Sequence, residues 1–131
     1  MKDAAIKTGT IKRSKSWLPI PLFSTLNLQL LIEKMKRSLS WAMGEPKTNI
    51  LLNNQKKQVV LNVLHRNTEV VSVQNCDSIT LRVIEGRLKL ECKNKTVFIN
   101  KGNDLTLNDK VEYTLSNREE TAYLLTMVNK N

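Results

Sequence analysis

From Ser78 to Val128 the chain alternates short apolar runs with polar turns: SITLRVIE, RLKLEC, TVFI, DLTL, VEYTL and TAYLLTMV. Within several of these runs every second residue is aliphatic, as in Ile79, Leu81 and Val83, Leu88 and Leu90, Leu105 and Leu107, and Val111, Tyr113 and Leu115. Period-two alternation places such residues on one face of a strand. The pattern predicts strands at 49–52, 58–64, 69–73, 78–85, 87–92, 96–99, 104–107, 111–115 and 121–128. Asn, Asp and Gly cluster between them, at Asn53-Asn54, Asn67, Asn75, Gly86, Asn94, Gly102-Asn103, Asn108-Asp109 and Asn117, as turns require. Many short strands at close spacing predict an all-β sandwich or barrel. Arg82 alternates with the inward set and is expected to face outward.

Upstream of Pro46 the period is different. Leu28, Leu31, Ile32, Met35 and Leu39 fall on one face of a helix, and Glu33, Lys34, Lys36 and Arg37 on the other. Thr25 or Asn27 is placed to cap it, and Gly44, Glu45 and Pro46 end it. Such a helix belongs on the outside of a sheet; the basic residues beside the stripe also suit a membrane surface, a weaker reading. Residues 17–23 interleave Trp17, Leu18, Ile20, Leu22 and Phe23 with Pro19 and Pro21. Proline excludes helix there, and five apolar side chains need cover from the barrel or a second subunit. The organisation expected is a basic extended arm over 1–24, a helix and linker over 25–46, and the barrel over 47–131.

At 131 residues the chain is long enough for one domain with one core. The net charge is +9, unevenly spread. Residues 1–41 hold eight basic and two acidic side chains, and residues 42–131 thirteen and ten. The excess is therefore mainly an arm. A nucleic-acid-binding domain would carry it on the folded part, with aromatic groups for stacking. A solvated tail is the expectation, with a tether to nucleic acid or an acidic surface as the alternative. No apolar run is long enough to span a membrane, and residues 17–23 lack the core and cleavage site of a signal peptide, so a cytoplasmic protein is expected. Cys76 and Cys92 form no CxxC pair and are read as separate thiols. Cys76 as a reactive thiol is the minor reading, since no base is placed beside it.

Two spacings make the resemblance specific. GNDLTLNDKVEYTLSN runs from Gly102 to Asn117, and NTEVVSVQNCDSITLRVIEG from Asn67 to Gly86. These resemble the two motifs of the cupin family, G-x5-P-x-G-x2-H-x3-N and G-x5-H-x-H-x3,4-E-x6-G. The resemblance spans roughly Ile50 to Val128. It implies a cupin double-stranded β-helix, a jelly-roll barrel, with one N-terminal helix and the basic arm in front. Gly86, Gly102 and Asn117 stand at turn positions, with Gly86 expected in a tight hairpin.

The resemblance also implies where a metal would sit. Active cupins hold an ion with two His and a carboxylate or Gln from the first motif and a His from the second. The matching positions here are Val73, Asn75, Ile79 (Thr80 with the longer spacing) and Tyr113. Aliphatic side chains offer no lone pair, and neutral Tyr and Asn are weak ligands. No metal or other cofactor is expected, and no catalytic residue. Asn108 and Lys110 replace the second motif's Pro and Gly.

Two accounts of function follow. In one, a small apolar cavity binds a compact organic ligand, oriented by Tyr113, Asn75 and His65, the chain's only histidine. This would be a non-catalytic binding or regulatory module. In the other, side chains fill the barrel and the protein works as a structural or interaction protein through its surface. A metal-dependent isomerase or dioxygenase ranks third. A homodimer is expected, because cupins of this size commonly pair.

Overall fold

A computed structural model describes residues 27–130. The arm over 1–24, with its Trp17–Phe23 segment, and the Thr25 cap lie outside the described residues. The elements are two helices, α1 (Leu28–Lys36) and α2 (Leu39–Ala42), followed by nine strands. These are β1 (Lys47–Asn53), β2 (Lys57–Leu64), β3 (Glu69–Val73), β4 (Ser78–Glu85), β5 (Arg87–Cys92), β6 (Lys95–Asn100), β7 (Asp104–Leu107), β8 (Glu112–Ser116) and β9 (Thr121–Val128). Five of the nine begin and end where the alternation placed them. The other four differ by one or two residues.

The strands form two antiparallel sheets, ordered β1-β2-β9-β4-β7 and β3-β8-β5-β6. Between β2 and β9 only β5–β6 remains within one sheet, and every other connection crosses from one sheet to the other. That repeated crossing is the jelly-roll arrangement. The β5–β6 hairpin turns through Lys93 and Asn94, both at positive φ (50° and 65°), the backbone of a two-residue hairpin turn.

Gly86 does different work from that expected. β4 and β5 lie in different sheets, so Gly86 is the corner between them and not a hairpin turn. Its φ is +83°, and an added Cβ would meet the Glu120 carbonyl oxygen and Thr121 Oγ1, each at 2.5 Å. Backbone conformation and space both require glycine there.

The inner faces enclose one core. Ile79, Leu81 and Val83 of β4, Leu88 and Leu90 of β5, Ile99 of β6, and Leu115 of β8 are buried together in it. Leu105 and Leu107 of β7 pack against its rim. Apart from Ile99, these are positions that the alternation assigned inward. Arg82 faces outward and pairs with Asp104, its register partner on β7, at 2.8 Å for the Nη2–Oδ2 bond.

The predicted single helix is two. Asn27 caps α1, its side chain accepting from the Leu30 amide at 3.0 Å. The helix stops at Arg37 because Ser38 turns extended and caps a second, short helix, accepting from the Trp41 amide at 3.3 Å. Ser and its neighbours compete with the helical ladder in this way. Leu39, expected on the apolar stripe, is 76% exposed, and Trp41 turns inward in its place. Ile32, Met35 and Trp41 pack with Leu61, Val63 and Ala122 on the outer face of the first sheet. Among the described residues no helix is long and apolar enough to cross a membrane.

Candidate functional site: the barrel interior

Strand β3 decides the chemistry of the interior, because both metal-binding histidines of an active cupin stand on it or just after it. Here Val71 and Val73 point outward, and Val73 is 65% exposed. Ser72 is half-buried and Gln74 only 2% exposed. The inward parity is therefore Ser72 and Gln74, one residue earlier than Val73 and Asn75. The motif allows three or four residues before its carboxylate, and the four-residue spacing reaches the same Ile79 and Gly86. The structure thus corrects two positions, and Asn75, expected inside as a polar handle, is exposed.

Gln74 could be mistaken for a ligand, since an amide oxygen can coordinate. Its groups are already used. Oε1 accepts from the Cys76 amide at 2.8 Å, and Nε2 donates to the Cys76 carbonyl at 2.8 Å and to the Leu107 carbonyl at 3.4 Å. The side chain closes the β3–β4 loop. Buried amides are kept when they satisfy backbone in this way. The same loop holds the free thiol of Cys76 against the barrel core, and the free thiol of Cys92 packs there from β5.

Tyr113 lies inside, as the second motif's spacing requires. It is buried on β8 opposite Ser72 of β3. Burial pushes its phenol above the usual value of 10.0, and a hydrogen bond with Ser72 partly offsets this. Tyr123 of β9 is the residue that sequence reasoning missed. It is buried in the same core, and burial raises its phenol much further, with Tyr113 adding to the shift. The run TAYLLTMV is apolar at both parities, so alternation alone carries no signal for which side chains face in.

The donors at the four positions do not suit a transition metal. Ile79 has no lone pair and is packed in the core. Ser72 is a neutral hydroxyl, the Gln74 oxygen is taken, and the Tyr113 phenol is held neutral. Such ions need imidazole, carboxylate or thiolate. Among the described residues no group of three or more His, Cys, Asp or Glu is placed to share an ion.

His65, expected to help orient a ligand in the cavity, lies outside the barrel interior. It follows β2 with the parity of Leu61 and Val63, which face the helices. Its ring stacks on Trp41, with centroids 3.5 Å apart and planes 17° from parallel. Its carbonyl accepts from Thr68 Oγ1 at 2.6 Å and from Asn117 Nδ2 at 3.0 Å. Tyr113, Asn75 and His65 are therefore in three different places: inside the barrel, on the surface and in the helix layer. A shallow depression of about 380 Å³ opens where the β5–β6 hairpin meets β8, between Glu91, Lys93 and Glu112, with Tyr113 among its lining residues.

No protein-family model and no curated protein matches the sequence. Solved structures do resemble the fold. A cupin-2 domain protein of Shewanella frigidimarina aligns at a TM-score of 0.62 and 12% identity, over 79% of this chain and 94% of that one. A protein of Neisseria meningitidis aligns at 0.63 and 15%, over 81% and 100%. The cupin-2 domain of an XRE-family transcriptional regulator from Enterobacter cloacae aligns at 0.60 and 11%, over 66% and 98%. At such identities the likeness concerns the backbone alone, and a fold does not carry an activity with it. The two crossing antiparallel sheets, the glycine corner and these alignments together give the chain the small cupin fold.

Proposed function

We propose that this protein is a metal-free cupin that acts without catalysis, as an interaction or regulatory module of the cytoplasm. The observation that carries the reading is Ile79. It stands at the carboxylate position of the metal motif and is packed among the core aliphatics of both sheets. A packed aliphatic at that point leaves neither a charge for an ion nor room for a substrate beside it. The packed core around Ile79 favours function through the outer surface over an internal ligand cavity. The transcriptional regulator of Enterobacter cloacae, whose cupin-2 domain has a similar backbone, illustrates a cupin in a regulatory protein.

The test is metal analysis of the purified protein after incubation with iron, manganese, nickel and zinc, followed by desalting. The expected content is close to zero for each. More than about half an equivalent of one transition metal, retained through desalting, would show a real site and overturn the reading.

A second reading keeps a small ligand at Tyr113, entered through the depression beside Glu91 and Glu112. A ligand there would shift the tyrosine ultraviolet spectrum, and a Tyr113→Phe variant would bind it more weakly. The protein also pairs with a second copy in our reading. Val71 and Val73 stand exposed side by side on the outer face of β3, and residues 17–23 add five apolar side chains that need cover. Light scattering of the full chain tests this, and a monomer at all concentrations would remove it.

A further inference from the structure

The outer face of the second sheet carries a feature that the barrel does not explain. Arg87 and Lys89 are two residues apart on β5, so both project to the outer face, away from Leu88 and Leu90 in the core. Lys89 is opposite Ser116 of β8 and opposite Phe98 of β6. Arg118 lies two residues beyond Ser116, in the turn that leads to β9. These three cations line one open-sided pocket of about 580 Å³ with Phe98 and Asn117, and Glu119 is the one carboxylate among its lining residues. A volume of this size is that of a small-molecule site.

The cations are held and under-neutralised. Among the described residues neither Arg87 nor Arg118 forms an ion pair, and Lys89 reaches only Glu91, at 3.8 Å. Elsewhere the chain pairs Arg82 with Asp104, and Lys36 with Glu85 and Glu120. Like charges on neighbouring strand positions repel and lower stability, so a bound anion would relieve a cost built into the fold. Arg87 lies over the Phe98 ring, 4.2 Å from its centroid, which orients the guanidinium and leaves its edge free to donate.

The backbone beneath is pinned on both sides. The Arg87 amide donates to Thr121 Oγ1 at 3.3 Å, and the same hydroxyl lies 3.2 Å from the Arg87 carbonyl. Asn117 donates to the His65 and Glu119 carbonyls and accepts from the Thr68 amide. The backbone beneath Arg87 and the Asn117 side chain are therefore held in place before any ligand arrives, which lowers the entropy lost on binding.

We infer that the pocket between Arg87, Lys89 and Arg118 is a binding site for a small organic anion bearing a phosphate or carboxylate group. Two guanidinium forks and an ammonium suit a multidentate oxyanion. Phe98, about half exposed, and the stem of Lys89 give an apolar edge for the rest of the molecule. The inference does not depend on what occupies the barrel, so the metal assay above and the titration below can fail independently.

The experiment is a backbone amide NMR titration of the full chain with pyrophosphate and with citrate, against sodium chloride at matched ionic strength. Saturable shifts are expected at Asn67, Lys89, Ser116 and Asn117 with at least one probe. Tighter pyrophosphate would mark a phosphoryl ligand, and tighter citrate a carboxylate. Arg118→Gln, in an exposed turn, and Arg87→Gln should each weaken binding about tenfold, the scale of one charge-assisted bond. Lys110→Gln removes the same charge between β7 and β8, outside the pocket, and should change affinity by less than about twofold. Absence of saturable shifts, or equal weakening by Arg118→Gln and Lys110→Gln, would overturn the site. Tighter binding of a single-stranded oligonucleotide than of either probe would replace the small anion with a polynucleotide and equally overturn it.

Discussion

The indole of Trp41 lies flat on the imidazole of His65, 3.5 Å between centroids. This contact joins the short second helix to the end of β2. Because the His65 carbonyl is held by Asn117, the helix layer is connected through one residue to the turn between β8 and β9. Among the described residues His65 Nε2 is buried without a hydrogen-bond partner, so towards them the ring serves as a flat surface rather than as a polar group.

Replacing the ring should separate these roles. Trp41→Ala removes a buried aromatic and is expected to cost about 3–5 kcal/mol. His65→Ala should cost less, about 1–3 kcal/mol, for the lost stack and the space left behind. His65→Phe retains the stack and removes the unpartnered nitrogen, so urea unfolding should find it close to wild type. If His65→Phe were as damaging as His65→Ala, the imidazole would be making a stabilising hydrogen bond.

The two corner glycines should rank sharply. Gly86→Ala places a Cβ 2.5 Å from a backbone oxygen at φ +83°, and should cost at least about 3 kcal/mol. Gly102 has φ +84° but nothing within 4 Å of an added Cβ, so Gly102→Ala should cost about 1 kcal/mol. Denaturation midpoints of equal size for the two variants would contradict the packing at the β4–β5 corner.

Alkaline titration reads the interior directly, because Tyr113 and Tyr123 are the chain's two tyrosines. Both phenols are raised above 10.0 by burial. A group whose folded value is raised stabilises the protein fully below its unfolded value and ceases to do so as pH rises through the folded one. Phenolate absorbance should therefore stay low past pH 10 and rise together with loss of the native circular dichroism. A full phenolate signal near pH 10 with the fold intact would mean that both rings are open to water.

Asn117 is a further test of the scaffold. Its side chain makes three hydrogen bonds with backbone groups of two turns. Asn117→Ala strands the Thr68 amide, at about 1–3 kcal/mol where water cannot reach it, while the His65 and Glu119 carbonyls keep Thr68 Oγ1 and Thr121 Oγ1 as donors. Faster hydrogen exchange at Thr68 should accompany the loss. The same variant should loosen the anion pocket, since Asn117 lines it. Unchanged stability would mean that water replaces all three bonds without cost.

Much of the architecture is legible in the residues. Strands β4, β5, β7 and β8 alternate cleanly, and Gly86, Gly102 and Asn117 mark turns by residue type. Failures occur where both parities are apolar. EVVSVQNC has Val on both faces, so the one-residue choice between Val73 and Ser72 was open. Gln74 is polar and yet buried, because its amide satisfies the backbone of the loop that follows. β2, with Val60, Leu61, Val63 and Leu64 all buried, is covered on both faces, which hid that His65 faces helices. The anion pocket gathers Arg87, Lys89 and Arg118 from sequence positions that look like ordinary surface charges.

The sequence by itself determined the strand rhythm, the cupin-like motif spacing and the lack of imidazole and carboxylate at the motif's metal positions, whichever register is chosen. These are local properties, set by turn conformation, side-chain period and the presence or absence of a lone pair. The tertiary structure alone decided which face of β3 and β2 is inside, that Gly86 is a corner, and that three cations share one pocket. Those depend on which strands lie together and what covers each sheet. A one-residue change of parity moves every side chain to the opposite face without altering the sequence pattern.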